Sequence, residues 1–302
     1  MTQPSPQPSS LSGVLVALIT PFTADGSEID VQNLHAQVDR LVDAGVHGLV
    51  PGGSTGEFTA LTLAERKQLT EACVKAADGR VPVIAGTGAL STAEAVELSE
   101  HAAAVGATAL MVVPPFYDAP TLKQVKTHLA AIHKASGLPI VYYNIPAASG
   151  VQLSSAEIAS LGEVEGVAYL KDTSGDAVSL GELLVAYPDK ITAFNGWDTL
   201  TFFGLTSGAK GTVWGASNVI PELSMRLWDA VAVRGDLEEG RRLWAKIWPI
   251  CNFLESHNYA AAVKTGLELI GHPAGPVRAP FDLLDGDARE ELSELLAAAD
   301  VG

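Results

Sequence analysis

Cysteine is nearly absent. Cys73 and Cys251 are too few for a disulfide framework or a cysteine-based metal site, and both fall in helix-like segments where a buried thiol is the ordinary outcome. Positive charge is scarce too: 19 Lys and Arg stand against 35 Asp and Glu, a formal net charge of −16. A surface of that sign repels phosphate backbones and anionic lipid, which disfavours nucleic-acid and membrane partners. It also repels an anionic substrate unless donors and a buried cation reverse the potential locally. No apolar run approaches the roughly 20 residues that a membrane helix needs. The opening MTQPSPQPSS lacks the basic start and apolar stretch of a signal peptide. Residues 1–12 read as a flexible tail, and a reducing cytoplasm is the expected compartment. The seven histidines show neither H-x-H nor HExxH spacing, so no histidine metal site is expected.

What the chain does have is apolar content. Of its 302 residues 47% are hydrophobic and only 18% charged, which excludes wholesale disorder and supplies a large core. Short apolar runs recur at 14–20, 48–50, 83–86, 109–113, 140–144, 167–171, 191–195 and 211–213. Segments with helical periodicity lie between most of them, at 31–43, 62–77, 92–105, 122–136, 155–161 and 180–186. Strands alternating with helices give βαβ units and a parallel sheet, and eight such strands predict a closed (β/α)8 TIM barrel over residues 13–220. The competing open, doubly wound sheet lacks its GxGxxG loop after the first strand. Residues 223–233, 237–254, 260–270 and 288–299 read as helices, so 221–302 is expected to form a C-terminal helical extension packed on the barrel.

Barrel chemistry sits at the C-terminal ends of the strands, and that rule selects three places. After the second run comes Pro51-Gly52-Gly53-Ser54-Thr55-Gly56-Glu57-Phe58. Glycines let the backbone approach a ligand, and Ser54 and Thr55 offer hydroxyls and amides suited to a small carboxylate. A glycine-rich turn capped by Ser and Thr fits the loop equally well. Glu57 is a base or, the commoner case, a carboxylate that stabilises the loop. The fifth run ends in Tyr142-Tyr143-Asn144, and alternation sends one phenol inward. It relays protons there or merely packs beneath a helix. The sixth run ends in Lys171, expected to share a face with Val167 and Tyr169. Burial disfavours an ammonium, and a neutral amine attacks carbonyls to form a Schiff base. An arbitrary strand-end lysine more often reaches water. Lys171 stands out because the loop, the tyrosine and the lysine fall on one barrel face. The stretch 208–215 is a weaker candidate for a phosphate site, crowded by Trp214.

Four segments in order, GGSTGEF at 52–58, PPFY at 114–117, YNIPAASG at 143–150 and LKDTSGD at 170–176, give the chain its family likeness. From about Gly13 to at least Pro221 it resembles the N-acetylneuraminate lyase and dihydrodipicolinate synthase superfamily of pyruvate-dependent class I aldolases. The resemblance implies that Lys171 forms the imine with a 2-keto acid and that Tyr143 moves the proton at the bond that breaks. It implies that Ser54 and Thr55 hold the carboxylate and aid the relay, that Val213 touches the pyruvate unit by its backbone, and that Tyr117 reaches a neighbouring subunit's site. It therefore implies a homo-oligomer, commonly a tetramer built as a dimer of dimers. Neither a metal nor an organic cofactor is required.

Within the superfamily, the synthases usually place an arginine where this chain has Ala148, and a methyl group cannot replace a guanidinium. Pro-Ala-x-Ser-Gly looks instead like the sialic acid lyases, whose resemblance implies that Thr173, Gly196 and Asp198 line a polyol side. Thr199 and Gly215 depart from the lyase pattern, which carries glutamate and often serine there, and Trp214 is expected to add bulk nearby. The expected reaction is cleavage of N-acetylneuraminate to N-acetylmannosamine and pyruvate. The alternatives are 4-hydroxy-tetrahydrodipicolinate synthase, a 2-keto-3-deoxy sugar acid aldolase or dehydratase, and, from another class, a non-catalytic 2-keto acid binding protein.

Overall fold

The computed structural model describes residues 10–302, so residues 1–9 of the expected tail lie outside the described residues. Leu11, within that expected tail, is buried at the base of the fold, where its amide donates to the Tyr169 hydroxyl at 3.3 Å. An apolar side chain beside a barrel floor gains more from covering it than from staying in water.

Eight parallel strands form one sheet: β1 (Gly13–Ala17), β2 (Gly48–Val50), β3 (Ile84–Gly86), β4 (Ala109–Val112), β5 (Ile140–Asn144), β6 (Val167–Asp172), β7 (Thr192–Asn195) and β8 (Gly211–Trp214). β8 pairs with β1, and a parallel bridge from Leu49 to Val83 joins β2 to β3, closing the ring. The (β/α)8 TIM barrel expected from the run spacing is therefore the fold. Its strands read as continuous apolar runs because both faces are covered. Leu15, Val50, Met111, Val141 and Phe194 fill the interior, while Val16, Leu49, Leu110 and Leu170 face the helices.

The helical layer is α1 (Val31–Asp43), α2 (Leu63–Ala77), α3 (Thr92–Ala104), α4 (Leu122–Ser136), the short α5 (Pro146–Ser149) and α6 (Ser155–Ala159), α7 (Ala177–Ala186) and α8 (Thr201–Thr206). Their starts are locally encoded. Thr62 with Glu65 and Ser154 with Glu157 form capping boxes, and the Asp176 carboxylate accepts from the Val178 and Ser179 amides. Beyond β8 follow α9 (Pro221–Trp228), which runs into a π-helical turn at Asp229–Val233, then α10 (Leu237–Glu255), α11 (Tyr259–Leu269) and α12 (Gly286–Ala298). Their apolar faces share one cluster with Trp214 and Ile220. Among the described residues, no helix is long and apolar enough to cross a membrane.

Two local expectations need correction. Val167 does not share the face of Lys171, because the pairing of β6 with β5 skips Ala168: Ile140 faces Val167, and Val141 faces Tyr169. That bulge turns Val167 out among the helix-facing residues and leaves Tyr169 beside the barrel interior. Trp214 likewise points away from the barrel axis. It is fully buried among the C-terminal helices, with its ring 6.5 Å from that of Trp244.

Candidate active site

A cavity of about 550 Å³ opens at the C-terminal ends of the strands. Ser54, Thr55, Tyr143, Lys171, Thr173, Gly196, Asp198 and Val213 all line it. Lys171 stands one residue before the end of β6 with only 5% of its surface exposed, and its amine lies 4.0 Å from the centre of the Tyr143 ring. The juxtaposition follows from strand register, which pairs Tyr143 with Lys171 and Asn144 with Asp172. Asn144 Nδ2 donates to Asp172 Oδ1 at 2.7 Å, and Ser174 Oγ donates to Oδ2 at 3.0 Å, locking the ends of β5 and β6 together. Burial raises the Asp172 carboxyl above its ordinary range, against the opposing effect of the Asn144 bond. Tyr142, one residue earlier, is buried on the helix side, and burial pushes its phenol well above its ordinary range.

Space beside the lysine is kept by Gly196. A Cβ there would lie 2.7 Å from both Cγ and Cε of Lys171 and closer still to Thr173 Oγ1. The loop carrying Ser54 and Thr55 folds over the end of β1, where Thr20 Oγ1 donates to the Gly56 carbonyl at 2.7 Å. Thr55 is buried and Ser54 open to the cavity.

A further wall joins the loop after β7, where the expected Asp198 stands, to the C-terminal helices, whose Glu255 and Tyr259 no strand-end pattern marks. Asp198 accepts from the Tyr259 hydroxyl and from the Ala216 amide at 3.2 Å. Burial pushes its carboxyl up to about 7, with the Tyr259 bond opposing the rise. Glu255 accepts from Thr199 Oγ1 at 2.7 Å and from the Thr199 amide at 3.1 Å, and burial raises its carboxyl too. Residues 277–281 form the rest of the rim. Arg278 belongs to this stretch, but its guanidinium is committed to Glu65 and to the carbonyls of Gly26, Ser27 and Ala60.

Not every expected residue joins the cavity. Tyr117 lies in the loop after β4, 88% exposed in the single chain and outside the lining. Ala148 stands exposed on α5. Among the described residues, no group of three or more His, Cys, Asp or Glu side chains is arranged to hold a metal ion.

A (β/α)8 barrel with a buried lysine near the end of β6, a tyrosine near the end of β5 beside it and a hydroxyl loop after β2 is the arrangement that the resemblance to the pyruvate-dependent class I aldolases implies, and the chain is a member of that superfamily. The comparisons narrow it. The Dihydrodipicolinate synthetase family matches residues 10–299, and the chain belongs to that family. It is 38% identical to a 4-hydroxy-tetrahydrodipicolinate synthase of Methanopyrus kandleri, covering 95% of this chain and 94% of the relative. It is 40% identical to an uncharacterized DapA-like lyase of Halobacterium salinarum, over 97% of this chain and 95% of the relative. The crystal structure of the chloride-inhibited dihydrodipicolinate synthase from Acinetobacter baumannii, complexed with pyruvate, superposes with a TM-score of 0.92 at 32% identity, covering 97% of this chain and all of that one. The Methanopyrus relative and the Acinetobacter structure thus carry the synthase name, the Halobacterium relative is named only as a DapA-like lyase, and none of the three carries the name of the sialic acid lyases favoured by the Pro-Ala-x-Ser-Gly segment.

Proposed function

We propose that this enzyme joins pyruvate to an aldehyde, or releases it from the aldol product, through an imine on Lys171. The observation that carries the reading is the Lys171 amine, enclosed by the cavity beside the Tyr143 ring. In the joining direction, the amine adds to the pyruvate ketone and water leaves, giving a protonated imine. Loss of a methyl proton makes the enamine, whose carbon attacks the aldehyde carbonyl. Tyr143 delivers the proton that the new alkoxide takes up, and hydrolysis frees Lys171. In the cleaving direction, the same phenol removes the alcohol proton while the bonding electrons flow into the imine. General acid–base help of this kind is worth roughly 10²–10⁴-fold. Ser54 and Thr55 receive the pyruvate carboxylate, and the iminium offsets its charge in an otherwise acidic protein. Reduction with borohydride in the presence of pyruvate should add mass at Lys171 alone. A label elsewhere, or none, refutes the reading.

For the aldehyde partner, the names of the relatives support the 4-hydroxy-tetrahydrodipicolinate synthase reaction. One observation favours a second reading. Ala148 offers no guanidinium for a carboxylate-bearing aldehyde, and the donors of Arg278 are already committed. The cavity wall instead presents Thr173, Asp198, Asn258 and Tyr259, groups that match hydroxyls. That wall suits a 2-keto-3-deoxy sugar acid. Comparing kcat/KM for the synthase aldehyde, 2-keto-3-deoxy sugar acids and N-acetylneuraminate decides between the two.

Tyr117 enters the proposal through a second copy of the chain. Exposed and outside the cavity, it is free to reach a neighbour's Tyr143 in a dimer of dimers, as its place in the PPFY segment implies. Mass measurement in solution tests the assembly.

A further inference from the structure

We infer that Lys264, on α11 and outside the cavity lining, is a positioning residue for the carboxylate-receiving loop, acting through Glu57. The inference rests on the reading of that loop as the pyruvate carboxylate site. Glu57 lies two residues after Thr55, lines the cavity and holds a left-handed backbone conformation with φ of 58°. Non-glycine residues occupy that region at a cost, so the surroundings must hold it there. Those surroundings are visible. The Lys264 side chain is 0% exposed, and its ammonium sits 2.7 Å from Glu57 Oε1. It also donates to the Pro276 carbonyl at 2.7 Å and lies 4.2 Å from the centre of the Phe22 ring. Glu57 Oε2 accepts from the Arg278 amide at 2.9 Å. The loop is thereby tied both to α11 and to the rim segment 276–278.

Two consequences follow from this geometry. The pair fixes the loop, because a buried cation and a buried carboxylate each lose most of their solvation and are held by one another. It also neutralises Glu57. Without Lys264, the cavity would carry a free carboxylate close to the place where pyruvate brings its own, and like charges at short range repel strongly where water is excluded. Burial pushes the Lys264 ammonium down to about 8, with Glu57 opposing the fall, as expected for a cation that depends on this one anion.

The test measures pyruvate Kd by isothermal titration calorimetry on the full chain, with Lys171 labelling followed in parallel. Lys264→Met should raise Kd roughly tenfold to hundredfold, the scale expected when binding groups are misplaced by about an ångström. Adding Glu57→Gln to Lys264→Met should recover much of that loss, because the uncompensated charge is gone. A purely structural role shows rescue in Tm alone and leaves the Kd of Lys264→Met at the parental value. Leu296→Ala on α12 serves as the control: it lowers Tm and leaves Kd unchanged. If Lys264→Met does not fold, Glu57→Gln alone should raise Kd about tenfold, since it strands the buried ammonium and frees the loop. The inference is overturned if Lys264→Met or Glu57→Gln binds pyruvate like the parent, or if the two substitutions multiply. Binding that proceeds without label at Lys171 refutes the imine reading instead, and an absence of binding by the parent enzyme removes both.

Discussion

Replacing Gly196 with alanine tests the geometry around the Lys171 amine, proposed to form the imine, with the least chemistry changed. The added methyl group would stand 2.7 Å from Lys171 Cε, where ordinary contact begins at 3.4 Å, so lysine or backbone must yield by about 0.7 Å. The backbone is poorly placed to do so. The Gly196 amide donates to the Asp172 carbonyl at 2.7 Å, and its own carbonyl accepts from Thr173 Oγ1 at 3.0 Å. Thr173 Oγ1, closer still to the added carbon, and Lys171 must therefore both yield, and Lys171 already has the Tyr143 ring 4.0 Å from its amine. A displacement of this size costs roughly a hundredfold in rate, or about 2.7 kcal/mol of transition-state stabilisation. Overpacking should cost about 1–3 kcal/mol of folding stability. Steady-state kcat/KM with pyruvate and the preferred aldehyde, together with urea unfolding, reads both effects. A Gly196→Ala enzyme with parental kcat/KM would show that the cavity tolerates what this geometry forbids, and the assignment of Lys171 to a fixed attack position would fall.

Tyr143→Phe should keep borohydride labelling at Lys171 while turnover drops roughly 10²–10⁴-fold, and loss of the label together with turnover would contradict the separate roles. Asp198 makes a pH prediction. Its folded-state carboxyl is raised to about 7 from an ordinary 3.8, so the folded protein holds a proton that the unfolded chain releases. The stability it contributes is full below pH 3.8 and is lost as pH rises to about 7, a decline of a few kcal/mol at most. Denaturant titrations across that window should show Asp198→Asn losing less stability than the parent, and parallel slopes would refute it. Tyr117→Phe should lower kcat without changing Tm or assembly; full activity would remove Tyr117 from the relay. Cys73 and Cys251 are fully buried, and burial pushes the Cys73 thiol up to about 12. A thiol-reactive dye should therefore find neither until the protein unfolds, and rapid native labelling would contradict the packing.

The barrel was legible because each strand is a short apolar run with turn signals at both ends, and the eight expected runs match the eight strands within a few residues at each end. The cavity residues that end strands, Lys171, Tyr143 and Val213, were legible for the same reason. Helix α8 was not. It is a helix of fewer than two turns, Thr201–Thr206, with Gly204 inside, too brief to show a helical period. The far wall was hidden for a different reason. Tyr259 meets Asp198 across 61 positions of chain, and the Arg278 amide meets Glu57 across 221. Contacts of that span leave no local pattern, and Lys264 looks like any lysine on an amphipathic helix until the fold surrounds it. The bulge at Ala168 escaped as well, since one extra residue in a strand leaves an alternating sequence looking regular.

The rim built from residues 277–281 sets an order of events at birth. A ribosome releases β6 and its amine early, but the closing segment follows well after β8 has emerged, a delay on the order of several seconds at ordinary elongation rates. During that interval the nascent barrel can close its ring while its mouth stays unwalled. The wall of the cavity is thus completed near the end of synthesis, and a chain cut short before Pro276 would lack the 277–281 rim while keeping the lining that Tyr143, Gly196, Asp198 and Tyr259 supply.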